Sequence, residues 1–321
     1  YYTRWMMLFP EPVIPGHRYP LVIANHGGSN SIETDEFSMG FPQIAGKEGF
    51  AVLLPQNTNA DKMEHYLEEA MKQYPIDPER IYMAGYSQGG YQVTSTIFRM
   101  PERFAAIAPC GNDIFREWDN FNVPYTTEEY ESLKKAMVPV IQVNGACEAS
   151  NFVPVNDWAP RKNWGRNVRG ILYDDPRRND DVDPTRIKGG ARPFSNQPVP
   201  PEGEDRHEWM IGRLNRRMDS LNCELRDAKK CIGYLNTPED ELHHVLGFYG
   251  DREKIEEWYG YKHYTLEIDN KEGMPAFKFV AVENSAHWPS VMMGRYAWDF
   301  FKQYRRDTVS GNVVVDPYQY K

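Results

Sequence analysis

Ile81-Tyr82-Met83-Ala84-Gly85-Tyr86-Ser87-Gln88-Gly89-Gly90 is the stretch on which the fold turns. Ile81 to Ala84 is a short apolar run that predicts a strand, Gly90 to Met100 has helical spacing, and Gly85 to Gly89 between them fits G-x-S-x-G. Strand, tight turn and helix in that order form the setting in which a serine becomes an exposed nucleophile. The turn strains the Ser87 backbone, so Gly85 and Gly89 must be small to let strand and helix approach each other. The Ser87 hydroxyl then points out of the sheet, and the Gln88 N–H, at a helix N-terminus, faces the position of a developing oxyanion. The five-residue pattern alone is only suggestive, and a plain Gly-rich strand-to-helix turn is the alternative.

Outward from this stretch, apolar runs recur at Tyr19 to Asn25, Ala51 to Pro55, Ala105 to Pro109, Val138 to Val143 and Phe277 to Val282. Helical patterns lie between them near Glu36 to Glu48, Lys62 to Tyr74 and Thr126 to Met137, and a last helix over Arg295 to Arg305 puts Ala297, Trp298, Phe301 and Tyr304 on one face. Such alternation predicts an α/β fold, a mostly parallel sheet with helices on both faces. The rhythm breaks between Asn151 and Tyr264, where Gly189 to Glu204 is dense in Gly and Pro, and a helix follows from the spacing of Met210, Ile211, Leu214, Met218 and Leu221. The expected organisation is a sheet core of residues 1–150 and 265–321 with a lid- or cap-like insertion, 151–264, between the last two core strands. Aromatics in that insertion, Trp158, Trp164, Trp209, Trp258 and Tyr259, are candidates either for its own small core or for the wall of a binding cleft.

A serine nucleophile needs a base, an acid and oxyanion donors. Asn25-His26-Gly27-Gly28-Ser29 follows the first core strand, where the second oxyanion N–H of this fold arises, and Gly28, or else Gly27, is the expected donor beside Gln88. His26 is expected to shape that loop. Asn284-Ser285-Ala286-His287-Trp288-Pro289 follows the late strand and precedes the final helix, which makes His287 the expected general base. The other histidines, His17, His65, His207, His243, His244 and His263, lack that setting, and adjacent His243-His244 do not share a helix face for a metal. The acid must come between Ser87 and His287 at a strand end. Glu148, in Asn144-Gly145-Ala146-Cys147-Glu148, is best placed, with Asp113 and Asp157 as competitors. Tyr86 and Trp288, beside the nucleophile and the base, are expected to contact substrate.

A formal net charge of -9 argues against nucleic acid or an acidic membrane as partner, because both would repel the surface. No run approaches the roughly 18 apolar residues of a membrane span, so a soluble chain is expected, and Tyr1 in place of Met allows for a leader or upstream domain removed before it. Cys110, Cys147, Cys223 and Cys231 show no C-x-x-C spacing, which predicts free, partly buried thiols and no zinc site. Were Cys223 and Cys231 on one helix they would be about 12 Å apart, beyond disulfide reach. No cofactor is expected.

The run Ile76-Asp77-Pro78-Glu79-Arg80-Ile81-Tyr82, the Ser87 turn, Phe104-Ala105-Ala106-Ile107-Ala108-Pro109 and His287-Trp288-Pro289 together resemble the polyhydroxybutyrate depolymerase and feruloyl esterase family of α/β-hydrolases. The resemblance covers about Tyr19 to Gly145 and Phe277 to Arg305. It implies a metal-free Ser-His-acid triad acting on acyl esters of plant-wall sugars or polyesters, with Ser87 and His287 at the nucleophile and base positions, and favours a secreted protein. The family's acid lies in a His-Gly-x-x-Asp pattern, where this chain has Asn144 and Glu148. The expected function is therefore a serine carboxylic-ester hydrolase working through an acyl-enzyme. Its rivals are a serine peptidase on the same fold and, from another class, a non-catalytic binding module.

Overall fold

The computed structural model describes residues 4–28, 30–33, 38–111, 125–146, 206–235, 239–283 and 291–320, together with 203, 237, 285 and 289. Its strands in chain order are β1 (Trp5–Leu8), β2 (Tyr19–Asn25), β3 (Ala51–Pro55), β4 (Ile76–Tyr86), β5 (Ala106–Cys110), β6 (Val140–Gly145), β7 (Arg252–Trp258), β8 (Tyr261–Asp269) and β9 (Pro275–Val282). They form one sheet in the order β1-β3-β2-β4-β5-β6-β9-β8-β7. The six strands from β3 to β9 run parallel, while β1, and the β8–β7 pair, run antiparallel to their neighbours.

Every residue of β2 is buried, as a strand covered on both faces requires. Its side chains alternate between two cores. Leu21 and Ile23 join a cluster with Met63, Leu67, Met83, Val93 and Ile97, under helices α2 (Ala60–Gln73), α3 (Gln88–Arg99) and α4 (Thr127–Ala136). Val22 and Ala24 face the other side, with Phe41, Trp298 and Phe301, under α1 (Phe41–Glu48) and α8 (Val291–Phe301). Local chemistry sets these helix ends. Thr126 and Glu129 form a reciprocal capping box on α4, and α1 stops at Gly49, whose φ of 72° suits a residue without Cβ.

Between β6 and β7 lie α5 (Arg206–Ser220), α6 (Ala228–Leu235) and α7 (Glu241–Leu246). Residues 151–202 of the expected insertion lie outside the described residues. From α5 onward the chain packs on the sheet, since Met210, Ile211, Leu214, Met218 and Leu221 belong to the same buried cluster as Leu21 and Ile23. The sheet itself resumes at Arg252 rather than 265. β7 is so polar, with all seven residues exposed at the sheet edge, that no apolar alternation marks it.

The last helix also differs from its expectation. It ends at Phe301, and Tyr304 enters a two-stranded hairpin of β10 (Tyr304–Arg306) and β11 (Val313–Val315). Contacts distant in sequence decide this. The Tyr304 carbonyl accepts from the Tyr82 hydroxyl at 2.6 Å, the Tyr304 hydroxyl donates to the Pro275 carbonyl at 2.7 Å, and the buried Arg306 guanidinium donates to the carbonyls of Phe104, Ala136 and Gly311.

Among the described cysteines, Cys110, Cys223 and Cys231 are buried and form no disulfide, and Cys147 lies outside the described residues. Cys223 and Cys231 do not share a helix, because α5 stops at Ser220 and Cys223 pairs with Asn270 in an isolated bridge. Burial pushes their thiols up, to about 12 and about 11. Among the described residues no helix is long and apolar enough to cross a membrane.

Candidate active site

Ser87 joins β4 to α3 with φ 55° and ψ −117°, a left-handed backbone that a non-glycine residue adopts rarely, at a cost of about 1–3 kcal/mol. The neighbours of Ser87 hold it there. Its N–H donates to the Cys110 carbonyl at the end of β5 (3.1 Å), and its carbonyl accepts from Tyr91 in the first turn of α3 (3.0 Å). A Cβ on Gly85 would stand 2.4 Å from the Gly89 carbonyl, and one on Gly89 would stand 2.2 Å from the Asn25 carbonyl oxygen. Both glycines are thus required by main-chain contacts. Ser87 is half-buried, and Gln88 is exposed as the first residue of α3, where its N–H has no partner within the helix.

Strand order places a second segment beside this turn. From β2 the chain crosses to β3 on one side, and the next strand, β4, lies on the other side of β2, so the carboxyl ends of β2 and β4 flank a topological switch point. In open parallel sheets ligands bind outside such a point. Asn25-His26-Gly27-Gly28 leaves β2 there. Gly28 is close enough to the nucleophile turn that a Cβ on it would meet the Gln88 Oε1 at 3.0 Å. His26 is buried with Nδ1 2.8 Å from the Gly27 carbonyl and Nε2 3.0 Å from the Gln56 carbonyl, contacts that pin the loop to the end of β3. Asn25 is fully buried, and neither polar atom of its side chain has a hydrogen-bond partner among the described residues.

The remaining strand ends line up along the same edge. Gly111, just past β5, donates to the Asn144 Oδ1 on β6 at 2.9 Å and to the Val143 carbonyl at 3.2 Å. Ala146 donates to the Val282 carbonyl at the end of β9 at 2.8 Å, and Ser285 donates back to the same carbonyl at 3.3 Å. Glu148 follows two residues after Ala146 and His287 two residues after Ser285. Glu148, His287, Trp288, Asp113 and Asp157 themselves lie outside the described residues. The Tyr86 side chain is buried, its ring against Gly111 (φ 58°), where a Cβ would approach the ring to 2.4 Å.

Two features here escape a sequence reading. Asn144 stands at the position of the resembled family's histidine, and its carboxamide oxygen ties β6 to β5, a role that only the partner in space reveals. On the far side of β9, His263 on β8 sits opposite Val282, buried, with Nδ1 2.9 Å from the Tyr296 hydroxyl of α8. Burial holds the His263 ring below its ordinary pKa, against small raising contributions from the Trp258 backbone and Glu256. Of the other histidines, His17 meets the Tyr318 hydroxyl, His243 lies between Asp240 and Glu253, and His244 meets the Tyr234 carbonyl.

Among known proteins, residues 50–138, less than a third of the chain, match the prolyl oligopeptidase family. A bifunctional acetylxylan esterase/xylanase of Neocallimastix patriciarum is 25% identical over 109 residues, which are 30% of this chain and 16% of that protein. The chain thus aligns with under a fifth of this curated relative's length. An acetyl xylan esterase from Aspergillus awamori superposes over 92% of this chain and 93% of its own, with a TM-score of 0.50 at 10% identity. Est1E from Butyrivibrio proteoclasticus, with ferulic acid bound, covers 46% of this chain and 76% of its own at a TM-score of 0.35 and 18% identity. The parallel sheet, its two helical layers, the strained serine turn at the switch point and the full-length superposition make this chain an α/β-hydrolase by fold.

Proposed function

We propose that the chain is a serine carboxylic-ester hydrolase acting on acyl esters of plant-wall polysaccharide. The observation that carries the proposal is Ser87 at φ 55° between β4 and α3, its turn packed against the Gly28 loop at the switch point. In this reaction the Ser87 oxygen attacks the ester carbonyl carbon while His287 takes its proton. The Gln88 and Gly28 amides bind the oxyanion, and Glu148 accepts the hydrogen bond that orients His287. Collapse expels the alcohol with that proton and leaves the acyl group on Ser87, and water activated by His287 then releases the acid. Trp288 flanks the acyl group, while Tyr86, whose ring is buried against Gly111, supports the nucleophile turn from behind.

The acetylxylan esterase names of the sequence relative and of the full-length structural neighbour support an acetyl ester as the first substrate to test. The resemblance around Ser87 adds feruloyl esters and polyhydroxybutyrate to the panel. Purified protein is expected to cleave p-nitrophenyl acetate and to react with a fluorophosphonate probe, and Ser87→Ala to abolish both. Activity that persists in Ser87→Ala removes the nucleophile assignment, and absence of labelling in the unaltered chain favours a binding module.

The match of residues 50–138 to the prolyl oligopeptidase family supports a second reading, a serine peptidase built on the same Ser87. Rates on an ester and its matched amide separate the two.

A further inference from the structure

The β7–β8 hairpin ends in Trp258-Tyr259-Gly260-Tyr261. Tyr259 has φ 52° and Gly260 φ 76°, so the two central residues of this tight turn are both left-handed. Asn-Gly or Asp-Gly is the favoured pair for such a turn, and a tyrosine at the first position is conformationally costly. The residue that bears this cost is 86% exposed. Trp258 beside it is 41% exposed and anchored from below, its ring 5.6 Å from Tyr296 and 6.1 Å from His263. An aromatic held outward in strained backbone on a fixed base is a device for contact rather than for stability.

Its position gives the contact a purpose. β8 runs antiparallel to β9 with His263 opposite Val282, so the hairpin tip overhangs the carboxyl edge of the sheet, the edge that carries Ser87. Tyr259 lies in the turn beyond Tyr261, itself two strand residues past His263, and so stands about 10 Å past that edge. From β4 to β8 and β7 there are four and five strand spacings, about 20–24 Å. That distance is too long for a small ester at Ser87 to span, and suits a polymer lying along the edge.

We infer that the Trp258-Tyr259-Tyr261 tip is a stacking platform for a distal part of a neutral polysaccharide chain whose acyl group is cleaved at Ser87. Its use in catalysis rests on the esterase reading above. Neutral sugar rings present apolar C–H faces that stack on aromatic faces. The net charge of -9 repels anionic polymers and membrane surfaces, and at the tip Glu256 pairs with Lys254 while Glu257 faces Lys262 across the hairpin, a local balance that suits a neutral chain. The exposed area of Tyr259 and Trp258, roughly 250–300 Å² from typical aromatic areas, is below the about 800 Å² per partner of a stable protein interface. Charged β7 residues on the open edge further oppose strand addition by another chain.

Binding and turnover test the inference separately. Ser87→Ala protein is run in native gels containing deacetylated xylan, with and without Tyr259→Ala, Tyr259→Phe or Tyr259→Asn. Tyr259→Ala and Tyr259→Asn should weaken retention about five- to tenfold, and Tyr259→Phe should keep it. Tyr259→Asn should also raise Tm, because Asn accepts the left-handed backbone, so its loss of binding is not misfolding. With Ser87 restored, Tyr259→Ala should raise KM on acetylated xylan five- to tenfold and leave kcat on p-nitrophenyl acetate within twofold. Val309→Ala, at a 96% exposed site on the β10–β11 hairpin, should change neither. Equal retention of all Tyr259 variants, no retention of the parent, an equal loss on both esters, or a change of sedimentation in Tyr259→Ala would each overturn the platform. Tyr259-dependent retention in a chain that cleaves no ester would leave the platform standing and remove the esterase reading.

Discussion

Gly89→Ala tests whether the nucleophile turn is held by close main-chain contact. Within a helix the change from Gly to Ala normally stabilises, by about 0.5–1 kcal/mol in the interior and by less in the first turn, where Gly89 lies. At Gly89 the added Cβ would lie 2.2 Å from the Asn25 carbonyl oxygen and 2.6 Å from that of His26. Ordinary contacts begin near 3.4 Å, so α3 must withdraw by about 1 Å, since Asn25 ends a fully buried strand that has nowhere to yield. Overpacking of this kind costs about 1–3 kcal/mol, against which the helical gain is small. A displacement of about 1 Å also carries Ser87 and the Gln88 amide away from Gly28, which is worth up to about a hundredfold in rate. Gly212, inside α5 and with nothing within 4 Å of where a Cβ would stand, provides the same chemical change without the clash. Urea denaturation and kcat on p-nitrophenyl acetate are the assays. Gly89→Ala should be less stable by about 1–2 kcal/mol net and strongly impaired, and Gly212→Ala at least as stable and fully active. Stability and kcat of Gly89→Ala equal to those of the parent would refute the close approach of α3 to β2.

Glu48 accepts from the Trp298 indole at 2.9 Å and from Arg295 at 2.7 Å, and its pKa lies below its ordinary 4.5 because these bonds and Lys302 outweigh the burial that would raise it. A depressed folded pKa gives stability that is complete above the unfolded value and is lost as pH falls through the folded one. Thermal scans from pH 7 to pH 3 should therefore show Glu48→Gln less stable by about 1–2 kcal/mol at pH 7 and converging with the parent in acid, and parallel curves would contradict the assignment. Arg306→Met should cost about 3 kcal/mol in urea, because the carbonyls of Phe104, Ala136 and Gly311 lose a charged donor, and Arg306→Lys should recover little, since an ammonium cannot span three acceptors set for a planar fork.

How much of this was readable in advance depends on how local each determinant is. The Ser87 turn was readable because the backbone there demands glycine on both sides at fixed spacing, and the β2 loop because an all-apolar run breaks into His-Gly-Gly. The tail of the last helix was not. Ala297, Trp298, Phe301 and Tyr304 keep helical spacing to the end, and what pulls Tyr304 into a strand is a hydrogen bond from Tyr82, 222 positions earlier. β7 was hidden for the opposite reason. An edge strand that adds nothing to the apolar core carries charged residues at five of its seven positions, and its partner β8 begins with the half-buried Tyr261 and Lys262. β4 begins at Ile76, five residues ahead of its apolar run, because Ile76 pairs with Tyr19 across a register shift that accommodates Pro78.

The same distinction divides the carboxyl edge of the sheet into a part that resists change and a part that admits it. Around Ser87 the contacts are main chain against main chain, Gly85 on Gly89 and Gly89 on Asn25, so no side-chain replacement can be absorbed without moving a strand or helix. On the proposed function, those contacts would hold one geometry for every ester. The β7–β8 hairpin is held differently. It joins the sheet through β9 alone, every residue of its outer strand is exposed to some extent, and at its tip Tyr259 stands clear while Trp258 packs on Tyr296. Residues there can change size and polarity without disturbing the elbow, so on the esterase proposal polymer preference would be written in this hairpin, with Tyr259, strained and solvent-facing, as the residue that reads it most directly.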